Sequence, residues 1–213
     1  MGTQDFPSLK DRVVLITGGS GHIGSTLAEA FLDRGALVAT TDINEDPAIV
    51  VSDREEDGLA DRYAHFVVDL LDNSAVAELP AKVLGAFGRL DVVVCCAGFI
   101  GSSASEGWAV PFADQSENMW EKVLQVNLTS NFTLIKAAAD ALAQDGLGSV
   151  ILVGSIYGAL GPQPALYDGL EIDNPAGYAV SKAALTQLAN WLSTVMAPHV
   201  RVNAVTPGGV FRD

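Results

Sequence analysis

Short apolar segments alternate with helical periodicity along almost the whole chain, and this alternation limits the possible folds most strongly. Apolar runs that are not interrupted by polar residues are typical of strands buried on both faces. Strands that alternate with helices predict a doubly wound parallel sheet between two helical layers, a three-layer α/β/α fold. The predicted strands are 13–17, 37–41, 65–68, 90–96, 150–153 and 200–205, and the predicted helices are 23–31, 74–87, 116–143 and 176–196.

The chain is long enough for one domain and is strongly acidic. Its 213 residues, 49% of them apolar, can bury a core, which excludes a disordered protein and predicts a single domain over residues 1–213. Lys and Arg number 12 against 26 Asp and Glu, so the net charge is −14. Because an acidic surface repels phosphate backbones, we expect no nucleic-acid partner.

The cysteines and the N-terminal segment indicate the compartment. Cys95 and Cys96 are adjacent, so they cannot join distant segments, and no metal-ligand spacing is present. Residues 1–12 lack the apolar core of a signal peptide, and no apolar run approaches the roughly 20 residues that span a bilayer. We therefore expect a cytoplasmic protein with neither a metal nor a membrane partner.

A glycine-rich turn connects the first strand to the first helix. Its sequence is Thr-Gly-Gly-Ser-Gly-His-Ile-Gly over residues 17–24. Glycine lets the backbone approach a pyrophosphate closely, and the helix N-terminus offers unpaired N–H groups to that anion. The position between a strand and a helix favours a dinucleotide site of the Rossmann type over an ordinary glycine-rich turn.

Acidic residues end the second and third strands. Asp42 lies 18 residues after Gly24, where a carboxylate can accept a hydrogen bond from the ribose 2′-hydroxyl of NAD and repel the 2′-phosphate of NADP. The alternative is a solvated loop aspartate. Asp69 either faces the adenine or caps the following helix. The sequence therefore predicts NAD as the cofactor.

Tyr178 and Lys182 are four residues apart and share one face of a predicted helix. A lysine ammonium beside a phenol favours the phenolate, and such a tyrosine can exchange a proton with an alcohol or a carbonyl oxygen. Ser155, at the end of the fifth strand, can contact the same oxygen or can form a cap. Asn127 interrupts an apolar helix, and the simplest reason is a local helix irregularity.

Two long connections, residues 99–115 and 156–175, follow the carboxyl ends of predicted strands. Ligands of open α/β sheets bind at that edge, so we expect both loops to border one pocket. Trp108 and Phe112 lie in the first loop. There, an aromatic side chain can bind a substrate or anchor the loop.

Together with Ala97-Gly98 and residues 203–208, these motifs resemble the short-chain dehydrogenase/reductase family over nearly the whole chain. The resemblance implies an NAD-dependent oxidoreductase that transfers a hydride between nicotinamide and a secondary alcohol or ketone. It implies Tyr178 as general acid/base and Ser155 as the residue that polarises the reacting oxygen. By the same resemblance, Lys182 holds the nicotinamide ribose, and Asn127 supports a water-linked proton relay to Lys182.

The resemblance also implies the cofactor contacts, and a small-molecule substrate such as an alcohol, a ketone or a sugar derivative. Pro207, Gly208 and Val210 would meet the nicotinamide end of the cofactor. The full set of implied cofactor-binding residues is Gly18, Ser20, His22, Ile23, Gly24, Asp42, Asp69, Leu70, Ala97, Gly98, Tyr178, Lys182, Pro207, Gly208 and Val210.

The chain departs from the family pattern at several places. His22 stands where the common single-domain branch has glycine, a spacing similar to that of nucleotide-sugar epimerases and dehydratases. Cys95-Cys96 replaces an asparagine pair that ties the fourth strand to its neighbours. An insertion between residues 155 and 178 is similar to members linked to nucleotide-activated or nonulosonic sugars, and it contains Pro164, Tyr167 and Asp168.

Beyond the Pro207-Gly208 segment the family continues with a substrate lid and a seventh strand. Only residues 209–213 follow here, so we expect a truncated C-terminus that lacks this strand. Two other functions stay open. One is a nucleotide-sugar epimerase or dehydratase that keeps NAD tightly bound, and the other is a non-catalytic NAD-sensing protein.

The two long predicted helices carry apolar side chains beyond the stripe that faces the sheet. We expect these surplus faces to pair about a two-fold axis in a homodimer or homotetramer, rather than to be covered by loops in a monomer. The stripe of the last helix is Leu185, Leu188, Leu192 and Val195, and the surplus residues are Ala184, Trp191, Trp120, Phe132 and Ile135.

Overall fold

The computed structural model describes residues 8–46, 58–101, 105–163, 165, 169 and 174–210. The strands in these ranges are β1 Val13–Thr17, β2 Leu37–Asp42, β3 Tyr63–Val67, β4 Val92–Cys95, β5 Gly148–Val153 and β6 Val200–Val205. They form one six-stranded parallel sheet in the order β3-β2-β1-β4-β5-β6. This order is that of a doubly wound sheet, so the predicted Rossmann-type fold is confirmed.

Helices cover both faces of the sheet, as apolar strands require. They are α1 His22–Leu32, α2 Asn73–Phe87, α3 Glu117–Leu124, α4 Ser130–Ala143 and α5 Ala176–Val195. Ala28 and Leu32 of α1 pack on one face. On the other face, α2, α4 and α5 bury Leu79, Leu134 and Leu185. None of the helices in the described ranges has the length and apolar character needed to cross a membrane.

The predicted helix over residues 116–143 is divided by a π-helical turn. This turn, Gln125–Thr129, follows α3 and leads into α4. A π turn adds a residue to the helix, and such turns are frequent at functional sites. Asn127 lies at the centre of the turn and is fully buried. The helix irregularity that this asparagine indicates is therefore present.

Two apolar side chains of the long helices differ from the sequence expectation. Ile135, predicted on a surplus face, is 1% exposed and belongs to the core. The extra residue of the π turn rotates α4 relative to α3, so an uninterrupted helical period assigns Ile135 to the wrong face. Val195, predicted on the buried stripe, is 57% exposed because α5 ends there, beyond the last buried stripe residue, Leu192.

The sheet reverses its winding between β1 and β4, which are neighbours although two strands separate them in the chain. This reversal opens a crevice at the carboxyl ends of the two strands. The hydroxyl of Thr17 accepts hydrogen bonds from the N–H groups of Cys96 and Ala97, each at 3.1 Å. The end of β4 is thus tied to β1 although the asparagine pair is replaced.

Candidate active site

A cavity of about 400 Å³ lies in the crevice between β1 and β4. Most of the residues predicted to bind the cofactor line it. Ser20 does not, but its backbone N–H donates a hydrogen bond to Oδ2 of Asp42 at 3.1 Å. The predicted residues in the cavity wall are Gly18, His22, Ile23, Gly24, Asp42, Asp69, Leu70, Ala97 and Gly98.

The glycine-rich turn depends on close backbone contacts. A Cβ at Gly24 would collide with the carbonyl oxygen of Gly18, so only glycine fits there. His22 is the first residue of α1, where a helical backbone accepts any side chain, so the family glycine is not needed at this position. The N-cap of α1 is Gly21, which makes no side-chain cap. The N–H groups of the first turn therefore stay available to an anion such as a pyrophosphate.

Asp42 is held in a fixed orientation at the rim of the cavity. One carboxylate oxygen accepts from the N–H of Ser20, and the other accepts from the N–H of Ile43 at 2.8 Å. Oδ2 accepts only the Ser20 bond among the described residues, whereas Oδ1 also faces the two N–H donors of Asn44, so Oδ2 retains a position for a ligand hydroxyl. The alternative of a freely solvated loop aspartate does not describe this residue.

Asp69 is not the cap of α2. The cap is Asp72, whose carboxylate accepts hydrogen bonds from the N–H groups of Ser74 at 2.9 Å and Ala75 at 3.2 Å. Asp69 instead accepts from the N–H of Leu71 at 2.9 Å and lines the cavity. Of the two predicted positions for Asp69, the geometry favours the one that faces a ligand.

Lys182 connects the cavity to the tyrosine on α5. Its side chain is 4% exposed, and Nζ donates to the carbonyl oxygen of Val153 at 2.8 Å. Nζ lies 5.8 Å from the ring centroid of Tyr178 and 3.4 Å from the position of a Cβ on Gly98. Burial lowers the pKa of the Lys182 ammonium, while the nearby thiol of Cys96 acts in the opposite direction.

Asn127 joins three parts of the chain. Its Oδ1 accepts from the N–H of Phe99 at 2.6 Å, in the loop after β4, and its Nδ2 donates to Oγ of Ser181 at 3.0 Å. Ser181 precedes Lys182 on α5 and was not singled out by the sequence. The π turn therefore aims Asn127 at the loop and at α5, and its part in a relay to Lys182 stays a prediction.

Ser155 lies against the turn of α5 that carries the Tyr-Lys pair. Its Oγ accepts from the N–H of Tyr157 at 3.2 Å and caps a short 3-10 helix, Ile156–Gly158. At Gly158 a Cβ would stand 2.7 Å from the carbonyl carbon of Lys182, so this segment packs directly on α5. Tyr178 itself is half-buried, one turn before Lys182 on α5.

The segment after β6 packs beside Ser155 rather than in the wall of the 400 Å³ cavity. The carbonyl oxygen of Pro207 accepts from the N–H of Ile156 at 3.0 Å, and Gly208 faces the side chain of the same isoleucine. Val210 is exposed and is not brought to either of the cavities described here. The contact of these residues with a nicotinamide ring stays a prediction.

Both long loops contribute to a second cavity, of about 370 Å³, the second loop only through its last residue. Trp108 and Gln115 of the first loop and Pro175 of the second line it. Trp108 is 4% exposed, and its Nε1 donates to the carbonyl oxygen of Ile100 at 2.7 Å, so this side chain anchors the loop. Phe112 is 81% exposed. The insertion residues Pro164, Tyr167 and Asp168 lie outside the described residues.

Gln115 and Lys122 are site residues that sequence reasoning missed. The side chain of Gln115 bonds to the N–H of Ala176 at 3.0 Å, at the start of α5, and to carbonyl oxygens of both loops. Lys122 lines the 400 Å³ cavity with its ammonium 5.1 Å from the ring centroid of Phe99. Neither residue lies in a motif or in a spacing that marks chemistry.

Comparison with known proteins identifies the family. Residues 12–212 match the family model for short chain dehydrogenases. A sorbose reductase from Schizosaccharomyces pombe is 31% identical over 210 residues, which cover 97% of this chain and 76% of that relative. A short chain dehydrogenase from Leptospira borgpetersenii, solved with bound NAD+, aligns with a TM-score of 0.80 and 29% identity over 96% of this chain and 73% of its own. An NAD+-bound xylitol dehydrogenase aligns with a TM-score of 0.78 and 26% identity over 94% of this chain and 71% of its own. The chain belongs to the short-chain dehydrogenase/reductase family of oxidoreductases.

Proposed function

We propose that this chain transfers a hydride between NAD and a secondary alcohol or ketone, with Tyr178 as the general acid/base. The observation that carries the proposal is the position of Lys182. Its buried ammonium lies between the Tyr178 ring, 5.8 Å away, and Gly98 in the wall of the 400 Å³ cavity. Tyr178 and the cavity lined by the glycine-rich turn are thus connected through one lysine.

The chain's own residues fit NAD. The glycine-rich turn, in which Gly24 leaves no room for a Cβ, and the open N-terminus of α1 would hold the pyrophosphate. Asp42 would accept a hydrogen bond from the adenosine ribose and disfavour a 2′-phosphate. Lys182 would donate to the nicotinamide ribose. When bound, the nicotinamide supplies the acceptor or donor of the hydride.

Tyr178 would move the proton. In the oxidation direction its oxygen accepts the proton of the substrate hydroxyl, and in the reduction direction it returns a proton to the carbonyl oxygen. The ammonium of Lys182 stabilises the negative charge left on the tyrosine oxygen. Ser155 keeps a hydroxyl proton for the substrate oxygen, because its Oγ acts as an acceptor toward Tyr157.

The substrate class we propose is a polyhydroxylated alcohol or the corresponding ketone. This choice rests on the names of two relatives, a sorbose reductase and a xylitol dehydrogenase. The alternative of a nucleotide-sugar epimerase or dehydratase rested on the glycine spacing at His22. His22 occupies a helical position that does not need glycine, so its presence does not require a different branch of the family. An intact Tyr178-Lys182 pair disfavours a non-catalytic NAD sensor.

We also propose a cytoplasmic homo-oligomer. Large apolar side chains are exposed on α3, α4 and α5: Trp120 is 39%, Phe132 46% and Trp191 56% exposed. Such a surplus on adjacent helices would be buried by pairing with a second copy about a two-fold axis. The adjacent free cysteines Cys95 and Cys96 suit a reducing compartment.

A cofactor and substrate screen tests the proposed function. The chain is supplied with NAD or NADP and with polyols, sugars, nucleotide sugars and simple secondary alcohols, and reduction of the cofactor is followed by absorbance. We expect NADH to form with at least one polyol or sugar, and only weak activity with NADP. Equal activity with NADP would contradict the role of Asp42.

The same screen separates the alternatives. Dialysis before the assay shows whether the cofactor dissociates. An epimerase or dehydratase would retain NAD through dialysis and convert a nucleotide sugar without net NADH formation. NAD binding with no turnover on any substrate would favour the sensor.

A further inference from the structure

A chain of hydrogen bonds runs across the edge of the sheet beside Asp42. Thr40, fully buried in β2, pairs in register with His65 of β3. The Thr40 hydroxyl lies 2.7 Å from the hydroxyl of Tyr63 and 2.9 Å from Nδ1 of His65. On its other side, Nε2 of His65 lies 2.9 Å from the carbonyl oxygen of Asn44, in the turn after β2.

The direction of each bond follows from the one group that can only accept. The carbonyl of Asn44 requires a proton on Nε2 of His65, and in the neutral imidazole this leaves Nδ1 as an acceptor. Nδ1 then accepts from the Thr40 hydroxyl, whose oxygen accepts in turn from Tyr63. Burial raises the pKa of the Tyr63 phenol, although its bond to Thr40 acts the other way, so Tyr63 keeps the proton that it donates. Each of these three hydrogen bonds thus joins one donor to one acceptor.

At one end of this hydrogen-bond series, the bond from His65 to Asn44 fixes the turn that carries Asp42. Asn44 is held through its carbonyl by His65, while its backbone N–H and its side-chain amide both lie 3.4 Å from Oδ1 of Asp42. The same oxygen accepts from Ile43 at 2.8 Å. If Asn44 were released from β3, the donors that orient the Asp42 carboxylate would lose their support.

Thr40, at the centre of the hydrogen-bond series, contacts the glycine-rich turn. A Cβ at Gly19 would collide with the side chain of Thr40, so the turn lies directly on this threonine. Gly18 and Gly19 also donate to the carbonyl oxygen of Thr41, at 2.8 and 3.1 Å. Thr40 therefore links the pyrophosphate side of the proposed site to the ribose side.

We propose that Tyr63, Thr40 and His65 form a positioning element that orients Asp42 and thereby sets the discrimination between NAD and NADP. The inference rests on the proposed NAD site. His65 acts through Asn44 and Asp42, and the hydrogen bonds of the element join residues that are 21 to 25 positions apart in the sequence. Loss of the element would weaken the binding of NADH more than that of NADPH.

The test compares two amide substitutions of His65 in the full chain. Glutamine reaches far enough to replace the Nε2 donor to Asn44, whereas asparagine replaces only the Nδ1 acceptor to Thr40. Dissociation constants for NADH and NADPH are measured by fluorescence titration, which needs no substrate. Loss of one hydrogen bond corresponds to about a tenfold change at most. We expect His65→Asn to raise the NADH constant about fivefold with little change for NADPH, and His65→Gln to stay within about twofold of the wild type.

A second variant and a reference variant keep the test decisive. Thr40→Val removes the central hydroxyl at similar volume. Like His65→Asn, it should lower the ratio of the NADPH dissociation constant to the NADH dissociation constant. Thermal melting checks that the variant folds. Asp42→Ala should narrow the ratio most. The positioning element is wrong if Asp42→Ala lowers this ratio but His65→Asn and Thr40→Val do not. It is also wrong if His65→Asn and Thr40→Val weaken the binding of NADH and NADPH equally. In both cases the proposed function stands. If Asp42→Ala leaves the ratio unchanged, the ribose assignment fails and the inference fails with it.

Discussion

Burial of Lys182 costs free energy unless its ammonium is paired. Among the described residues its hydrogen-bond partner is the carbonyl oxygen of Val153, at the end of β5, and not a carboxylate. A neutral partner leaves the positive charge uncompensated, so the ammonium can act on Tyr178 and on a bound ribose at the same time. The pKa of Lys182, lowered by burial, reflects this arrangement.

Replacement of Lys182 by methionine tests this dual role. The substitution keeps the length of the side chain and removes the charge, so we expect both weaker NADH binding and a loss of turnover of at least about a hundredfold. The readouts are the NADH dissociation constant and kcat with the best substrate of the screen. Lys82→Met, at an exposed position on α2, is the matched control. Normal NADH affinity in Lys182→Met would contradict the ribose contact.

Whether a site residue can be predicted from the sequence depends on how far away along the chain its partners lie. Tyr178 and Lys182 are visible in the sequence because helical spacing makes them neighbours, and Asp42 because it ends a predicted strand. His65 and Gln115 are not, because their partners are reached through the sheet or across the two loops. No periodicity encodes such contacts, so only the folded chain shows them.

Helix α5 begins without a cap of its own. Its N-cap is Pro175, which has no side-chain acceptor, and the N–H of Ala176 is satisfied by Oε1 of Gln115 instead. Nε2 of Gln115 donates to the carbonyl oxygens of Val110 and Asn174, at 3.2 and 3.4 Å. One side chain thus joins both long loops to the helix that carries Tyr178.

We expect Gln115→Ala to destabilise the chain by about 1 kcal/mol, as the loss of a helix cap does. For a protein of this size, that corresponds to a decrease in Tm of about 2–4 °C. Differential scanning calorimetry measures the decrease. Gln187→Ala, exposed on the same helix, is the control and should leave Tm nearly unchanged. Equal Tm values for Gln115→Ala and the wild type would show that Gln115 does not support α5.

Element boundaries follow the sequence wherever local patterns decide them. β1 and β6 have the predicted limits, and α2 starts one residue before its predicted start, after the Asp72 cap. The π turn at Gln125–Thr129 is the main departure. An extra residue in a helical turn is stabilised by the tertiary bonds of Asn127 to Phe99 and Ser181, which a helical period does not contain.

At the scale of the whole molecule, Asp91 holds the amino edge of the sheet, opposite the proposed site. Its carboxylate accepts from the side chains of Arg12 and Arg89 and from the N–H of Val13 at 2.8 Å. Burial opposes ionisation of Asp91, but these hydrogen bonds together lower its pKa below the ordinary value. The ionised form is thus stabilised by folding.

The lowered pKa of Asp91 predicts a pH dependence of stability. The contribution is complete well above the unfolded pKa of about 3.9 and is lost as the pH falls through that value toward the folded pKa. We expect the urea midpoint of the wild type to exceed that of Asp91→Asn at pH 7, and the difference to shrink at pH 3. A difference that is unchanged or larger at pH 3 would contradict this assignment.

The exposed apolar side chains of α3, α4 and α5 predict an oligomer in solution. Light scattering of the full chain should give at least twice the monomer mass of 22.2 kDa. Phe132→Glu and Trp191→Glu should shift the protein toward the monomer, because each places a charge on an exposed apolar face. Leu147→Glu, exposed in the turn before β5, is the control. A wild-type species near 22.2 kDa that does not grow with concentration would refute the oligomer.

Tyr178→Phe shows whether the Tyr178 hydroxyl transfers the proton in an NAD-dependent oxidation or reduction. The substitution removes only the hydroxyl of a half-buried side chain and keeps its volume, so the fold and the cofactor site should be retained. With the best substrate of the screen, we predict that kcat falls by about a hundredfold to ten-thousandfold while the NADH dissociation constant stays within about twofold. Turnover close to that of the wild type in a variant that binds NADH normally would contradict the account.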